Sequence, residues 1–464
     1  MGSLGNKSSL PVANPGLSFW QQTTRSFPYL NVNRSEPVPK KSEYVVIGSG
    51  ISGALTTFEL IEGGVSPEDI VILEAREAAS GASSRNAGHV RPDAFRGFQV
   101  YQKVLGKEQA LKIIANEKLV FEKVDEFVKK HNVECDFNPT TTFDVCLTQE
   151  FADFNAQSLK EYKEAGGDTG HIKFYEGKEA KQKTRIAQTV TAYEWPAGSS
   201  HPAKLAQWLL TQSINKGSAL FTHCPAMSIK KSPRSSSEET LWEVTTPRGT
   251  ITTSTIIHCT NAFAPHLLPQ LAAFVTPNRA QAHAFVPPSA LNGANVLPST
   301  MSLRHSLKHF YSVAQRKPDG VIILGAPRTN PNISQAALDS RLLPDDSAFN
   351  DEVRDDTLAN FASCFPECSP KQLNHGEGLW HSWTGIIAMT PDSVPFVGQL
   401  PDMQGQWVCA GFNGHGMARI FTCAPGLAKL VLGGTWADTG LPECFESTEA
   451  RLEGLSNGVA GSVF

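Results

Sequence analysis

The hydrophobic pattern is clearest near the start of the chain, where two short apolar runs flank a helical pattern. Tyr44 to Ile47 form a β-branched run typical of a strand buried on both faces. Residues 51–61 repeat apolar side chains at helical spacing and end at the Gly63-Gly64 pair, a glycine helix stop. A Ser-Pro-Glu turn then leads into a second apolar run, Ile70 to Leu73. The pattern predicts a strand, a helix and a parallel strand.

Three glycines lie between the first strand and the helix. Gly48, Gly50 and Gly53 have the spacing of the dinucleotide fingerprint, in which they allow the turn, the approach of a pyrophosphate and the packing of helix on strand. The helix N-terminus adds partial positive charge. Glu74 closes the second strand, where a carboxylate accepts hydrogen bonds from ribose hydroxyls. The alternative is a glycine-rich turn that binds nothing.

Further along the chain, alternating patterns continue. Helical periodicity covers about residues 101–130, and residues 201–217 form a second helix leading into a strand in ALFTHCPAMSI. A hairpin turns at Arg248-Gly249 and ends in a buried strand, residues 255–259. Residues 406–432 read as a strand, a glycine-rich turn and an apolar helix. Residues 1–41, rich in Ser, Pro and Asn, predict a loosely ordered arm on the surface.

Length, composition and charge indicate which classes of protein the sequence fits. With 464 residues, 40% hydrophobic and 19% charged, we expect a globular protein of two domains. The net charge of -4 does not favour binding to nucleic acid or to an anionic membrane surface. No apolar run is long enough for a membrane helix. The nine scattered cysteines indicate reduced core residues of a cytoplasmic protein, and their spacing predicts no metal site.

A polar loop after Glu74 carries the strongest resemblance to a known family. ASGASSRNAGHVRPD resembles the second flavin-contacting segment of the D-amino-acid oxidase superfamily, which includes glycine oxidase and sarcosine oxidase. Its RNAGH core is most similar to γ-glutamylputrescine oxidase-like proteins and their fungal relatives. Near the other end, WTGIIAMTPDSVPFVG is similar to the WTGxxxxTPDxxPxVG segment of the same oxidases. The resemblance extends over most of the chain after residue 42.

The resemblance implies an α/β (α+β) fold with two domains. One is a discontinuous, Rossmann-like FAD-binding domain of the glutathione-reductase type 2, and the other is a substrate domain built on an antiparallel sheet. After the arm, residues 1–41, the implied segments of the FAD-binding domain are 42–131, 199–264 and 378–464, and those of the substrate domain are 132–198 and 265–377.

FAD is the cofactor that the resemblance implies, and residues from both ends of the chain would bind it. The predicted cofactor-binding residues are Gly48, Gly50, Ile51, Ser52, Gly53, Glu74, Ala75, Arg76, Ser83, Ser84, Arg85, Asn86, Ala87, Gly88, His89, Ala226, Thr260, Asn261, Gly385, Gly411, Asn413, Gly414, His415, Gly416 and Met417. Sarcosine-type oxidases attach the flavin through a cysteine where this chain has Gly385. The dimethylglycine dehydrogenase pattern uses a histidine where this chain has Arg85. We therefore predict non-covalent FAD.

Four residues are candidates for catalysis. Arg91 matches an arginine near the flavin ring, and it could hold a substrate carboxylate or polarise the reduced flavin toward O2. His89 could contact the substrate or supply a positive charge, or it could be a packed histidine. Tyr311 could form an aromatic wall over the flavin or belong to the core, and Lys308 could activate oxygen.

These features predict oxidation of a C–N bond in a small-molecule amine or amino acid by hydride transfer to flavin N5, with O2 as acceptor and H2O2 as product. Two alternatives stay open: a dehydrogenase with another acceptor, and a protein that uses FAD only as a structural prop. Many fungal relatives act in secondary metabolism, which implies a biosynthetic role. The sequence leaves the oligomeric state open.

Overall fold

The computed structural model describes residues 9–237 and 239–457. Its strands form three sheets. In chain order they are β1 (Tyr44–Ile47), β2 (Ile70–Leu73), β3 (His89–Val90), β4 (Asn138–Cys146), β5 (Lys173–Glu176), β6 (Thr191–Ser199), β7 (Ala219–Phe221), β8 (Ser228–Lys231), β9 (Trp242–Thr246), β10 (Gly249–Thr253), β11 (Thr255–His258), β12 (Thr276–Val286), β13 (Thr300–Arg304), β14 (Phe310–Gln315), β15 (Ile322–Gly325), β16 (Gly378–Met389), β17 (Phe396–Gln399) and β18 (Gln406–Ala410).

Helices cover one sheet and fill the connections. They are α1 (Phe19–Gln22), α2 (Ile51–Glu62), α3 (Phe98–Leu105), α4 (Lys107–His131), α5 (Gln149–Glu164), α6 (Gly177–Thr184), α7 (Pro202–Lys216), α8 (Gln335–Asp339), α9 (Asp351–Cys364), α10 (Ile420–Val431), α11 (Trp436–Thr439) and α12 (Glu449–Ser456). The predicted helix over 101–130 is divided in two, because Gly106 adopts φ +86° and ends α3.

A six-stranded sheet forms the cofactor side of the molecule, in the order β17-β18-β11-β1-β2-β7. The pairs from β18 to β7 are parallel, and β17 joins the edge antiparallel. The strands predicted at 44–47 and 70–73 have those bounds. Helix α2 packs against both α7 and α10, which covers the apolar strands. The predicted strand in ALFTHCPAMSI is interrupted, and β7 and β8 lie in different sheets.

The largest of the three sheets is a nine-stranded mixed sheet. Its order is β16-β12-β15-β14-β13-β4-β6-β3, with β5 added to β6. Because side chains alternate along each strand, the sheet has two distinct faces. Strand β16 belongs to this sheet, although the sequence resemblance placed residues 378–464 in the FAD-binding domain. The domain boundaries themselves stay a prediction.

The N-terminal arm is packed into the molecule over its described part. Phe19 and Trp20 are fully buried and share a cluster with Trp383. The Trp20 indole Nε1 donates to the Asn86 carbonyl at 2.7 Å, and the Ser18 hydroxyl donates to the Ser84 carbonyl at 2.5 Å. The prediction of a loosely ordered surface arm is therefore wrong for this part. The free energy gained by burying the aromatic rings offsets the conformational entropy lost when the arm is ordered. Residues 1–8 lie outside the described residues.

Candidate cofactor and active site

The first glycine turn is built for close backbone approach. Gly48 has φ +109°, and a Cβ there would lie 2.6 Å from the Cys259 carbonyl oxygen. A Cβ at Gly53 would lie 2.0 Å from the Gly48 carbonyl oxygen, so any larger side chain would separate helix from strand. At Gly50, the residue before α2, a Cβ would meet the Ser83 hydroxyl at 2.8 Å. Backbone contacts therefore require glycine at Gly48 and Gly53, whereas a Cβ at Gly50 would displace the Ser83 hydroxyl.

Glu74 is buried at the end of β2 and lines the cavity beside the glycine turn. Its Oε2 accepts hydrogen bonds from the Ser49 N–H at 3.1 Å and the Ser49 hydroxyl at 2.6 Å. Its Oε1 accepts from the Arg76 N–H at 3.0 Å. These bonds fix the carboxylate, and its oxygens keep further acceptor capacity toward the cavity.

The polar loop predicted to contact flavin lies next to the start of α2. The Ser83 hydroxyl accepts a hydrogen bond from the Ile51 N–H at 2.8 Å. Arg85 donates through Nε to the Ser80 carbonyl and through Nη1 to the Thr384 carbonyl, both at 2.9 Å. Its Nη2 is buried and has no hydrogen-bond partner among the described residues. Burial lowers the pKa of Arg85 to about 10, so the side chain is a cation at neutral pH.

The second glycine turn, after β18, is braced by asparagine side chains. The Asn261 Oδ1 accepts from the N–H groups of Gly411 at 3.1 Å and Phe412 at 3.3 Å. Asn413 Oδ1 accepts from the Thr390 N–H at 2.8 Å, and its Nδ2 donates to the Thr390 hydroxyl and to the Gly411 carbonyl. Asn413 therefore braces the turn and does not line the cavity, contrary to its predicted contact with the cofactor.

The same turn is anchored from behind by a buried charge network. His415 lies 3.4 Å from Glu117 of α4, and the Glu117 Oε1 also accepts from Arg419 Nε at 2.9 Å. Burial lowers the pKa of His415 and outweighs the opposing effect of Glu117. The imidazole faces the protein interior, and it is not among the residues that line the cavity.

One cavity joins the two glycine turns. The predicted cofactor-binding residues that line it are Gly48, Gly50, Ile51, Ser52, Glu74, Ala75, Arg76, Ser83, Arg85, Asn86, Ala226, Thr260, Asn261, Gly385, Gly414, Gly416 and Met417. Those that do not line it are Gly53, Ser84, Ala87, Gly88, His89, Gly411, Asn413 and His415. Segments that are far apart in sequence thus line a single cavity.

A protein-family model described as FAD-dependent oxidoreductase (DAO) matches residues 43–432, which is most of the chain. The chain belongs to this family. FAD is therefore its cofactor, and the fold and the enzyme class predicted from sequence are confirmed at this level.

Individual proteins extend the comparison. The chain is 21% identical over 434 residues to a probable oxidoreductase, OrdL, of Haemophilus influenzae, which covers 89% of each chain. It is 22% identical to mitochondrial sarcosine dehydrogenase of Mus musculus over 86% of this chain and 40% of that protein. The solved structure of glycine oxidase from Geobacillus kaustophilus superposes with a TM-score of 0.68 at 20% identity, covering 89% of this chain and 99% of that one.

The groups that line the cavity fit FAD. Gly48 and Gly50 line the cavity without a side chain that would obstruct a pyrophosphate, and Glu74 supplies acceptors for a ribose. Three buried polar groups of residues that line the cavity, the Thr260 hydroxyl, Arg85 Nη2 and His266 Nε2, have no hydrogen-bond partner among the described residues. Such groups are costly unless a ligand pairs with them.

The catalytic candidates His89 and Arg91 lie on either side of Val90, and the Arg91 charge acts on the His89 ring. Both ring nitrogens of His89 are buried and have no hydrogen-bond partner in the described part of the chain. Burial and the nearby Arg91 lower the pKa of His89 to about 3. His89 is therefore neutral at physiological pH, which disfavours the predicted role as a positive charge.

Arg91 is the buried cation of this region. Its Nη1 donates to the Ser302 hydroxyl, and the guanidinium lies 3.8 Å from the Asp144 carboxylate. Burial lowers the pKa of Arg91 to about 10, which leaves it charged at neutral pH. Ser302 pairs with Ser312 in the sheet, so these side chains share one face.

Tyr311 faces the opposite side of the sheet. Ser312, the next residue, faces the other side of the sheet and is in register with Gly325 of β15. That face continues across β12 and β16 to Ala280 and Gly385, which line the cavity. Tyr311 instead packs into the apolar cluster behind the sheet, where its hydroxyl donates to Asp356 at 2.6 Å. The predicted aromatic wall over the flavin is therefore wrong, and Tyr311 belongs to the core.

Lys308 lies in the turn between β13 and β14 and is partly buried. Burial and the nearby Arg328 lower its pKa. Neither residue lines the cavity that joins the glycine turns. Trp383, which could cover the flavin ring, donates from Nε1 to the Arg85 carbonyl at 2.8 Å and packs against the arm. It supports the loop that carries Arg85.

Residues 9–237 and 239–457 were compared with the requirements of a metal site and of a membrane-spanning helix. No group of three His, Cys, Asp or Glu side chains there could hold a metal ion, and no helix there is long and apolar enough to cross a membrane. All nine cysteines are free, and Cys364 and Cys368 are buried with pKa values raised to about 11 and 12 by burial. These thiols are inert core residues.

Sequence reasoning missed several residues of the site. Leu10 and Pro11 of the arm line the cavity, and Asp346 pairs with both Arg76 and Arg85. Glu117 braces the second glycine turn from the middle of α4. None of these residues belongs to a local motif, because each acts on a segment far away in sequence.

Proposed function

We propose that this FAD-dependent oxidoreductase oxidises a C–N bond of a small amine or amino acid to an imine, with O2 as electron acceptor and H2O2 as second product. Bound FAD supplies the acceptor, flavin N5, for the hydride that leaves the substrate carbon. The names of the relatives support this substrate class, since glycine and sarcosine are amino acids.

The observation that carries the proposal is an excess of buried positive charge on the sheet face that reaches the cavity. Arg91, Arg96 and Arg304 surround Asp144, and Asp93 pairs with Arg96. Three cations and two carboxylates leave a net charge of about +1 at neutral pH. An anion is needed to balance it, and a substrate carboxylate or the charge gained by the flavin on reduction fits that need.

The low pKa of His89 bears on how the substrate amine loses its proton. A histidine with a pKa of about 3 is a poor base at neutral pH. The amine must therefore reach the site unprotonated, or lose its proton to solvent before the hydride leaves. We expect kcat/KM to rise with pH through the pKa of the substrate amine, without an additional step near pH 6 to 7. A step there that disappears in His89→Gln would contradict this reasoning.

Anaerobic titration with a panel of amines, amino acids and N-methylated amines tests the function. We expect one class to bleach the flavin absorbance near 450 nm, and readmitted air to restore it quickly with one H2O2 per flavin. A second candidate is a dehydrogenase, which the sarcosine dehydrogenase relative favours. It would bleach equally but reoxidise slowly in air. If no substrate bleached the flavin, the proposal of amine oxidation would fail.

Substitution of Arg91 tests the role of the buried cation. With a carboxylate-bearing substrate, we expect Arg91→Met to lower kcat/KM at least tenfold, because a charge-assisted hydrogen bond contributes about 1.5–3 kcal/mol. Arg91→Lys keeps the charge and should retain part of the activity. If Arg91→Met left kcat/KM unchanged for every substrate, Arg91 would be a purely structural residue.

We also infer a cytoplasmic location and a biosynthetic role, in which the imine is consumed by a following reaction. The nine free cysteines and the oxidase-like site support this inference. Borodeuteride added during turnover would reduce the imine back to the amine with one deuterium at the oxidised carbon, and mass spectrometry of the recovered amine would detect this label. A tagged protein that fractionates with secreted or organelle contents would refute the location.

A further inference from the structure

The N-terminal arm contributes directly to the wall of the FAD cavity. Leu10 and Pro11 line it on the side of Arg76, the residue that follows the ribose-binding strand end. The next residue, Val12, accepts a hydrogen bond from Arg76 Nη1 at 3.5 Å through its carbonyl oxygen. The Gly16 N–H donates to the Asp346 carbonyl at 2.9 Å. The arm thus forms part of the cavity wall and is bound at several points.

Asp346 connects the arm to the two arginines of the site. Its carboxylate accepts from Arg76 Nη1 at 2.9 and 3.1 Å and lies 3.2 Å from Arg85 Nε. The side chain is 2% exposed, so both ion pairs are shielded from water and salt. Arg85 lines the cavity, and its Nη2 is one of the buried donors without a hydrogen-bond partner among the described residues. One residue therefore orients a cofactor-facing cation and holds the arm in place.

The arm is anchored independently of this contact, just beyond it in sequence. Phe19 and Trp20 are buried, and the Arg316 guanidinium lies 5.3 and 5.1 Å from their ring centroids. The hydrogen bonds from Ser18 and Trp20 to the backbone of residues 84 and 86 join this anchor to the flavin loop. The segment from residue 10 to 16 is therefore a strap fixed at its C-terminal end and closed onto the cavity through Asp346.

We propose that this strap, residues 10–16 together with Asp346, is part of the FAD site and controls how fast FAD leaves. The cofactor is trapped because its exit requires the strap to detach from Arg76 and Asp346. Tight retention then needs no covalent bond to the flavin. This inference rests on FAD binding alone and is independent of the substrate and of the electron acceptor.

Two variants and a matched control test the strap. Deletion of residues 2–12 removes Leu10, Pro11 and Val12 but keeps the aromatic anchor. Asp346→Asn removes the charge between the two arginines and keeps the side-chain size. Asp345→Asn is the control, since this neighbouring carboxylate accepts from the Ser347 N–H and touches neither arginine of the site.

The readout is FAD release from the purified holoprotein, without any substrate. After dilution into FAD-free buffer, the rise in flavin fluorescence gives the dissociation rate. We expect release to be at least tenfold faster in the deletion variant and in Asp346→Asn, and within twofold of the parent in Asp345→Asn. Release within twofold of the parent in the deletion variant would overturn the proposal, and this criterion stands even if Asp346→Asn does not fold.

Melting temperatures distinguish a strap that retains FAD from a segment that only stabilises the fold. A strap that only retains the cofactor acts only when FAD is bound. The deletion should therefore reduce the rise in melting temperature that saturating FAD produces, and it should leave the melting temperature of the apoprotein unchanged. If the deletion lowered the melting temperatures of apoprotein and holoprotein equally, the segment would be structural, and the proposal would be refuted. Because neither measurement involves turnover, both remain decisive for an enzyme of any substrate.

Discussion

Replacement of Glu117 by Gln removes the charge that holds the second glycine turn. Glu117 is fully buried in α4. Its Oε1 accepts from Arg419 Nε at 2.9 Å and lies 3.4 Å from His415, while Oε2 accepts from the Asp93 N–H at 2.7 Å. Gln keeps the size and part of the hydrogen bonding, but it leaves the Arg419 cation without its buried counter-charge.

The structure gives the size of the effect in two ways. Breaking a buried ion pair by neutralising one partner costs about 3–5 kcal/mol. Independently, Arg419 and His415 lower the pKa of Glu117 from 4.5 to about 2 despite the opposing effect of burial. At about 1.4 kcal/mol per pKa unit, this difference corresponds to roughly 3 kcal/mol of folding free energy. We therefore expect Glu117→Gln to lower the free energy of unfolding by about 3 kcal/mol at pH 7.

The same pKa predicts how the effect changes with pH. Because the pKa is lower in the folded state, the contribution of Glu117 is fully present above pH 4.5 and is lost as the pH falls toward 2. The stability difference between parent and Glu117→Gln should accordingly be largest at pH 6 to 7 and shrink as the pH falls below 4.5. Urea unfolding at several pH values, with FAD saturating, measures this difference.

Glu126→Gln is the matched control, because Glu126 lies on the same helix and is exposed. It should change the free energy of unfolding by less than about 0.5 kcal/mol at any of these pH values. A loss below about 1 kcal/mol in Glu117→Gln at pH 7, or a loss that is the same at pH 4 and pH 7, would show that the buried charge contributes little to stability.

Three further outcomes are expected. Gly53→Ala should abolish FAD binding in an equilibrium titration, since its Cβ would lie 2.0 Å from a backbone carbonyl, whereas Gly454→Ala, with nothing within 4 Å of the added Cβ, should bind FAD normally. Tyr311→Phe should lower the free energy of unfolding by about 1–3 kcal/mol in urea titrations and leave kcat within twofold, because the hydroxyl bonds to Asp356 behind the sheet. Acid precipitation should release all of the flavin into the supernatant, and yellow colour in the washed pellet would contradict non-covalent binding.

The sequence by itself determined the features that depend on neighbours along the chain. The strand at 44–47, the glycines that follow it and the acid at Glu74 were all readable because turn geometry and strand burial leave local signals. Once residues 310–315 form β14, the alternation of side chains places Tyr311 and Ser312 on opposite faces of the sheet. It could not say which of them faces the cofactor, since that depends on what each face packs against.

Only the tertiary structure decided the contacts between distant segments. Asp346 meets Arg76 across 270 residues of chain, and Glu117 meets Arg419 across 302. Leu10 and Pro11 reach the cavity because aromatic rings further along the arm are buried. Such pairs are set by the relative placement of two sheets and their loops. They leave no periodicity or spacing in the sequence, because any acidic or apolar residue at the right point in space satisfies the same physical need.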